Sequence, residues 1–139
     1  MKFACLVYHD ATPVADLSEA EQLNAILAEC KAAAAWMAEL EKGGHHVFTV
    51  GLQNVRTATT VRLRKGEVAM TNGPFAETKE FLGGFTIIEA RDLNEALQLV
   101  SKFASALLTV EVRPILDANA VLTDPLDQKI AAALQGPHS

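Results

Sequence analysis

Ser18-Glu19-Ala20-Glu21 sets a hydroxyl and, three residues on, a carboxylate where each satisfies a backbone N–H of the other, the capping box that opens an α-helix. Leu23, Ile26, Leu27, Cys30, Ala34, Met37 and Leu40 then recur at spacings of three and four up to the Gly43-Gly44 stop. The spacing predicts one long helix with a single apolar stripe. It stands between two strand-like runs. Lys2 to His9 is short, mostly apolar and bounded by Asp10 and the Thr12-Pro13 turn signal, and Val47 to Val50 follows the helix.

Thr57 to Leu63 reads as a β-branched third strand, turned at Lys65-Gly66-Glu67 into a brief return through Val68-Ala69-Met70. Phe85 to Ala90 is strand-like. Asp92 and Glu95 supply a second capping box ahead of a helix with Leu97, Val100, Ala104 and Leu107 as its stripe, and Thr109 to Ile115 closes the last strand. The order β-α-β-β-α-β, with one small hairpin inserted, predicts an α+β, ferredoxin-like fold: an antiparallel sheet with two helices on one face. Beyond it, Asp124 caps, Pro125 takes the first helical position, Leu126, Ile130 and Leu134 form a stripe, and Gly136-Pro137 end a short C-terminal helix. At 139 residues this is one domain over 1–115 with an extension over 116–139.

Half the residues are apolar, yet no uninterrupted run approaches the roughly 20 residues of a spanning helix, so no membrane insertion is expected. A net charge of −5 disfavours nucleic acid as a partner. Cys5 and Cys30 have no C-x-x-C spacing and read as small buried hydrophobes. The start at Met1-Lys2-Phe3 runs directly into a strand without the features of a signal peptide, and a cytoplasmic location is expected. His9, His45, His46 and His138 contain no pair at the helical i, i+4 spacing, so no metal site is expected. Gly83-Gly84 precedes a strand rather than a helix, and neither a Walker nor a G-x-S-x-G pattern occurs, so no cofactor is implied.

Period-two alternation sets Thr60, Arg62 and Arg64 opposite Val61 and Leu63, and Glu111 and Arg113 opposite Val110 and Val112. With the helices covering the apolar set, Arg62, Glu111 and Arg113 lie on the far face of the sheet, bordered by Tyr8 or His9 according to register. Two accounts fit these residues. Either they form a solvated or ion-paired face, or the guanidinium groups hold an anionic small ligand. The irregular stretch 71–84 interleaves Glu77, Lys79 and Glu80 with Phe75, Phe81 and Leu82. Within it, Asn72-Gly73-Pro74-Phe75 reads as a structural turn with Phe75 as a buried anchor. The candidate ligand-binding set is therefore Tyr8, His9, Arg62, Glu77, Glu111 and Arg113.

The run from Asn72 to Phe85, Asn-Gly-Pro-Phe-Ala-Glu-Thr-Lys-Glu-Phe-Leu-Gly-Gly-Phe, followed by Ile87-Ile88-Glu89-Ala90-Arg91-Asp92, resembles the DGPF family within the YCII-related proteins. Leu6-Val7-Tyr8, Gly51-Leu52-Gln53, Ala58 to Arg62 and Val110 to Pro114 extend the resemblance over nearly all of residues 1–115. It implies a dimeric α+β barrel in which two ferredoxin-like sheets meet face to face, and, for the family, association with extracytoplasmic-function sigma factors. Many YCII relatives pair a histidine in the first helix with an aspartate. Here residues 18–42 hold no histidine, and Asn72 replaces the signature aspartate, so that dyad does not carry over. Two functions are in view: a homodimer that binds or senses a small molecule in a polar cleft for an anionic ligand, or a lyase- or isomerase-like enzyme on a small substrate, aromatic compounds included, with Tyr8, His9 or Glu77 carrying the proton. A purely structural interaction protein is a third.

Overall fold

The computed structural model describes residues 1–105, 107–117 and 120–136; Pro137 and His138 therefore lie outside the described residues. Four strands, β1 (Lys2–Asp10), β2 (His46–Gly51), β5 (Glu80–Glu89) and β6 (Leu108–Pro114), form an antiparallel sheet in the order β2-β5-β1-β6. Helices α1 (Glu19–Lys42) and α2 (Leu93–Ser101) connect β1 to β2 and β5 to β6. This is the ferredoxin-like arrangement that the element order predicts. A short helix α3 (Pro125–Leu134) follows, capped by the Asp124 carboxylate, which accepts from Leu126 N at 2.8 Å and Asp127 N at 3.4 Å.

The capping box of α1 forms as read: Ser18 Oγ accepts from Glu21 N at 3.2 Å and Glu21 Oε1 from Ser18 N at 3.4 Å. The second box closes differently. Asp92 Oδ1 accepts from Glu95 N at 2.9 Å, but Glu95 Oε1 reaches past Asp92 to Arg91 N, also at 2.9 Å, and its carboxylate pairs with the Arg91 guanidinium at 3.2 Å.

Phe3, Cys5 and Val7 of β1, Ile88 of β5 and Leu108 of β6 meet Trp36 and Leu40 of α1 and Ala96 and Val100 of α2 in one core. Trp36, absent from the expected stripe, anchors it. Its ring stacks on Phe103 with centroids 4.6 Å apart, and its indole N–H donates to Leu99 O at 2.8 Å. Leu23, Ile26 and Leu27 are instead about half exposed: Trp36 and Leu40 set the buried line of α1, from which Leu23 and Leu27 lie well round the helix, while Ile26 borders the space between α1 and the sheet. Cys30 is exposed, correcting the expectation that both cysteines are buried. Cys5 is buried, and desolvation pushes its thiol up to about 11.

The hairpin of β3 (Thr59–Arg64) and β4 (Glu67–Asn72) forms a two-stranded sheet of its own. Its turn uses Lys65 at φ 51° and Gly66 at φ 79°, the left-handed pair that matches the twist of a tight hairpin. Val61, Leu63, Val68 and Met70 share one face through the Val61–Met70 and Leu63–Val68 pairs, and the helices do not cover them: each is at least 60% exposed.

Candidate functional site

Because α1 approaches the sheet only at one end, its other half stands away from the strands and leaves a cleft of about 720 Å³. Gln22, Ile26, Glu29, Cys30, Ala33 and Trp36 line the helix side; Val7, His9, Thr49, Phe81, Gly83, Thr86 and Leu108 line the sheet side. A shallower depression around Asn24, Leu27 and Lys31 is bounded by α1 alone.

The rim is built by local bonds. Asn54 Oδ1 accepts from Arg56 N at 2.9 Å and sets the 3-10 turn Val55–Thr57, while Gln22 Nε2 donates to Leu17 O at 3.1 Å. Glu29 Oε1 accepts from Ser105 Oγ at 3.0 Å, tying α1 to the loop ahead of β6. At the mouth, hydrogen bonds from the Thr12 side chain and then from its backbone N–H hold the Asp10 carboxyl below the usual carboxylate range. Deeper in, His46 Nε2, Thr49 Oγ1 and Thr86 Oγ1 form a thread of 2.7 and 3.1 Å contacts across β2 and β5.

The register question at Tyr8 and His9 is settled by a bulge. Val7 pairs with Gly84 but Tyr8 with Leu82, so Gly83 is the extra residue, and β5 runs five residues further back than its expected start at Phe85. His9 pairs with Phe81 and Leu108, which places it on the helix side with the buried Leu108. Its imidazole borders the cleft and makes no hydrogen bond or ion pair among the described residues. Tyr8 takes the opposite, helix-free face, which it shares with Glu111 and Arg113 through the Leu6–Glu111 and Ala4–Arg113 pairs.

Arg62 is not on that face. The hairpin's separation from the main sheet corrects the expectation that Arg62 lies beside Glu111 and Arg113, and equally the alternative of a cross-strand Arg62–Glu111 pair. Its guanidinium instead donates to Phe75 O at 2.9 Å. Glu77 is exposed on the connection to β5. Of the six expected residues, the cleft gathers only His9; of its other polar residues, Asp10 was read only as the end of the first strand and Gln53 only within the family resemblance, while Gln22, Glu29, Thr49, Asn54 and Thr86 carried no sequence pattern that marks them.

Asn72-Gly73-Pro74-Phe75 turns as expected in its backbone: Gly73 has φ 95°, its N–H donates to Ala58 O at 2.7 Å, and its carbonyl accepts from Thr60 Oγ1 at 2.8 Å. The anchor is different. Phe75 is 75% exposed, so the turn is fastened by these hydrogen bonds and by Arg62 rather than by a buried ring.

Among the described residues, no group of three His, Cys, Asp or Glu side chains is placed to hold a metal ion, and no helix is long and apolar enough to cross a membrane. Two helices on one face of a β2-β5-β1-β6 sheet, with a cleft under the first, define a ferredoxin-like α+β protein with a concave site between layers. The chain belongs to the YCII-related domain family, whose model matches residues 1–119. It is 32% identical over 118 residues to an uncharacterized protein of Rhizobium meliloti (strain 1021), an alignment covering 83% of this chain and 92% of that protein.

Proposed function

We propose that this YCII-related protein binds a small, uncharged, predominantly apolar molecule, aromatic rings included, in the cleft between α1 and the sheet. The observation that carries this reading is the free imidazole of His9 at the border of a 720 Å³ cleft walled by Trp36, Phe81, Ile26 and Leu108. A cavity of that size with few polar groups suits a compact organic ligand. An anionic ligand rested on Arg62 and Arg113, neither of which lines the cleft; among the described lining residues there is no arginine or lysine, while Asp10 and Glu29 contribute negative charge. Coulomb repulsion from two carboxylates disfavours an acid there.

Trp36 is the chain's only tryptophan and lies in the cleft wall, so its emission reports occupancy. Titration with phenol or benzyl alcohol should change that emission saturably, and benzoate should act far more weakly. No response to either neutral compound at millimolar concentration overturns the reading. A second reading, a lyase- or isomerase-like enzyme with His9 as proton carrier, draws on the same free imidazole and differs by turnover of a bound compound.

We further propose that the protein works as a homodimer through the helix-free sheet face. Leu6, Phe85 and Ile87 are only half-buried there, Phe48 is half exposed with its ring 6.2 Å from that of Phe85, and an antiparallel sheet with helices on one side leaves such a face for a partner. The interface should exceed roughly 1,000 Å². Sedimentation at micromolar concentration should give a dimer that Ile87→Glu converts to monomer; a monomeric parent protein refutes the assembly.

A further inference from the structure

Gly83 and Gly84 lie side by side in β5, and each is there for a different reason. Glycine inside a strand weakens it by adding chain entropy and offering no side chain to pack, so its presence asks for a local cause. Backbone conformation is not the cause at Gly83: its φ lies outside the left-handed region, unlike Gly44, Gly66 and Gly73. Space is. A Cβ built on Gly83 would overlap the His9 ring at Cδ2 and Nε2, with Cγ next at 3.4 Å, and no other group is as near. The imidazole thus rests edge-on over the bulge, in the volume that any other residue would fill. The bulge is held in turn by the residue that follows β2, since Gly83 O accepts from Leu52 N at 2.8 Å.

We propose that Gly83 is a positioning residue: its missing side chain is the seat that fixes the His9 imidazole at the cleft. This rests on the reading that the cleft takes a ligand, and deepens it by naming what sets the orientation of the ligand's polar contact. A histidine without hydrogen-bond partners is otherwise free to rotate about its side-chain bonds, and packing of the ring edge against Gly83 favours one orientation of this exposed side chain. The collision at Gly83 is with the end of a side chain that can swing away, not with backbone. Gly83→Ala therefore expels the ring while leaving the sheet paired.

The test compares the parent protein, Gly83→Ala, His9→Ala and the double variant, all as full chains. By NMR, the His9 Cε1–H resonance should shift in Gly83→Ala while those of His45 and His46 stay in place. Phenol binding, read from Trp36 emission, should weaken about tenfold in Gly83→Ala, the loss of one hydrogen bond, equally in His9→Ala, and no further in the double variant. An unshifted His9 resonance in Gly83→Ala overturns the seat even if phenol binds. A shifted resonance with no phenol response in any of the four proteins upholds the seat and overturns the ligand reading instead. Should Gly83→Ala fail to fold, adding His9→Ala must restore folding; a double variant that stays unfolded overturns the proposal.

Discussion

Trp36→Ala should lower the unfolding free energy by about 3–5 kcal/mol, the range for truncating a large buried aromatic side chain. Three losses coincide at this residue: the transfer of the indole out of water, the stack on Phe103 at 4.6 Å, and the bond that occupies Leu99 O at 2.8 Å. Leu99 belongs to α2 and Phe103 lies just beyond its Lys102 cap, so Trp36 fastens α1 to the second helix. α1 meets the core mainly through its C-terminal half, where Leu40, Ala33 and Met37 are the other residues that pack. Domains of this size are typically stable by about 5–15 kcal/mol, so the loss is a large part of the whole. Urea unfolding followed by circular dichroism measures it; a midpoint unchanged from the parent protein would contradict the role.

Gly84→Ala is expected to be nearly as damaging, by another route. A Cβ at this position would stand 2.5 Å from Val50 O and 3.2 Å from Gly51 Cα. Both are backbone atoms of β2, so no rotamer change relieves the contact and the two strands must separate. Overpacking of this kind costs about 1–3 kcal/mol where side chains can adjust, and backbone cannot adjust as they do. β2 is an edge strand held to the sheet by β5 alone. Faster hydrogen exchange should therefore appear in the β2 amides and spare those of β1 and β6. The adjacent Gly83→Ala makes the control, since its obstacle is a movable ring.

Helix α1 and the strand order were legible because capping and periodicity are local: Ser18, Glu21 and the two glycines at 43 and 44 bound the helix without reference to anything distant. The site was not legible, for three separate physical reasons. Alternation along Thr59 to Arg64 reads the same whether the hairpin joins the main sheet or stands apart, so Arg62 was assigned a face that it does not share. A bulge shifts the register by one residue, and nothing in Phe81-Leu82-Gly83-Gly84-Phe85 marks which residue is extra; the pair of glycines looked like punctuation between elements. Finally, the apolar stripe of α1 marks neither the face that packs, which Trp36 and Leu40 define while Leu23, Leu27 and Ala34 stay exposed, nor how closely the helix approaches the sheet. That approach is what turns Ile26 and Cys30 from expected core into cleft wall.

The central position of β1 has a consequence for how the chain comes to be folded. Its neighbours are Glu80–Glu89 on one side and Leu108–Pro114 on the other, so Lys2 waits for Glu89 and Phe3 for Pro114. β1 thus precedes both partners in the chain, and its pairing is complete only once Leu108–Pro114 is in place. Contacts so far apart in sequence slow folding, because loop closure precedes any gain from pairing. Throughout that interval Phe3 to Tyr8 is an apolar, proline-free strand with two open edges, the kind of segment that pairs with the wrong chain. Lys2 and Asp10 bracket it with opposite charges, the gatekeeper placement that discourages such stacking until β5 and β6 arrive.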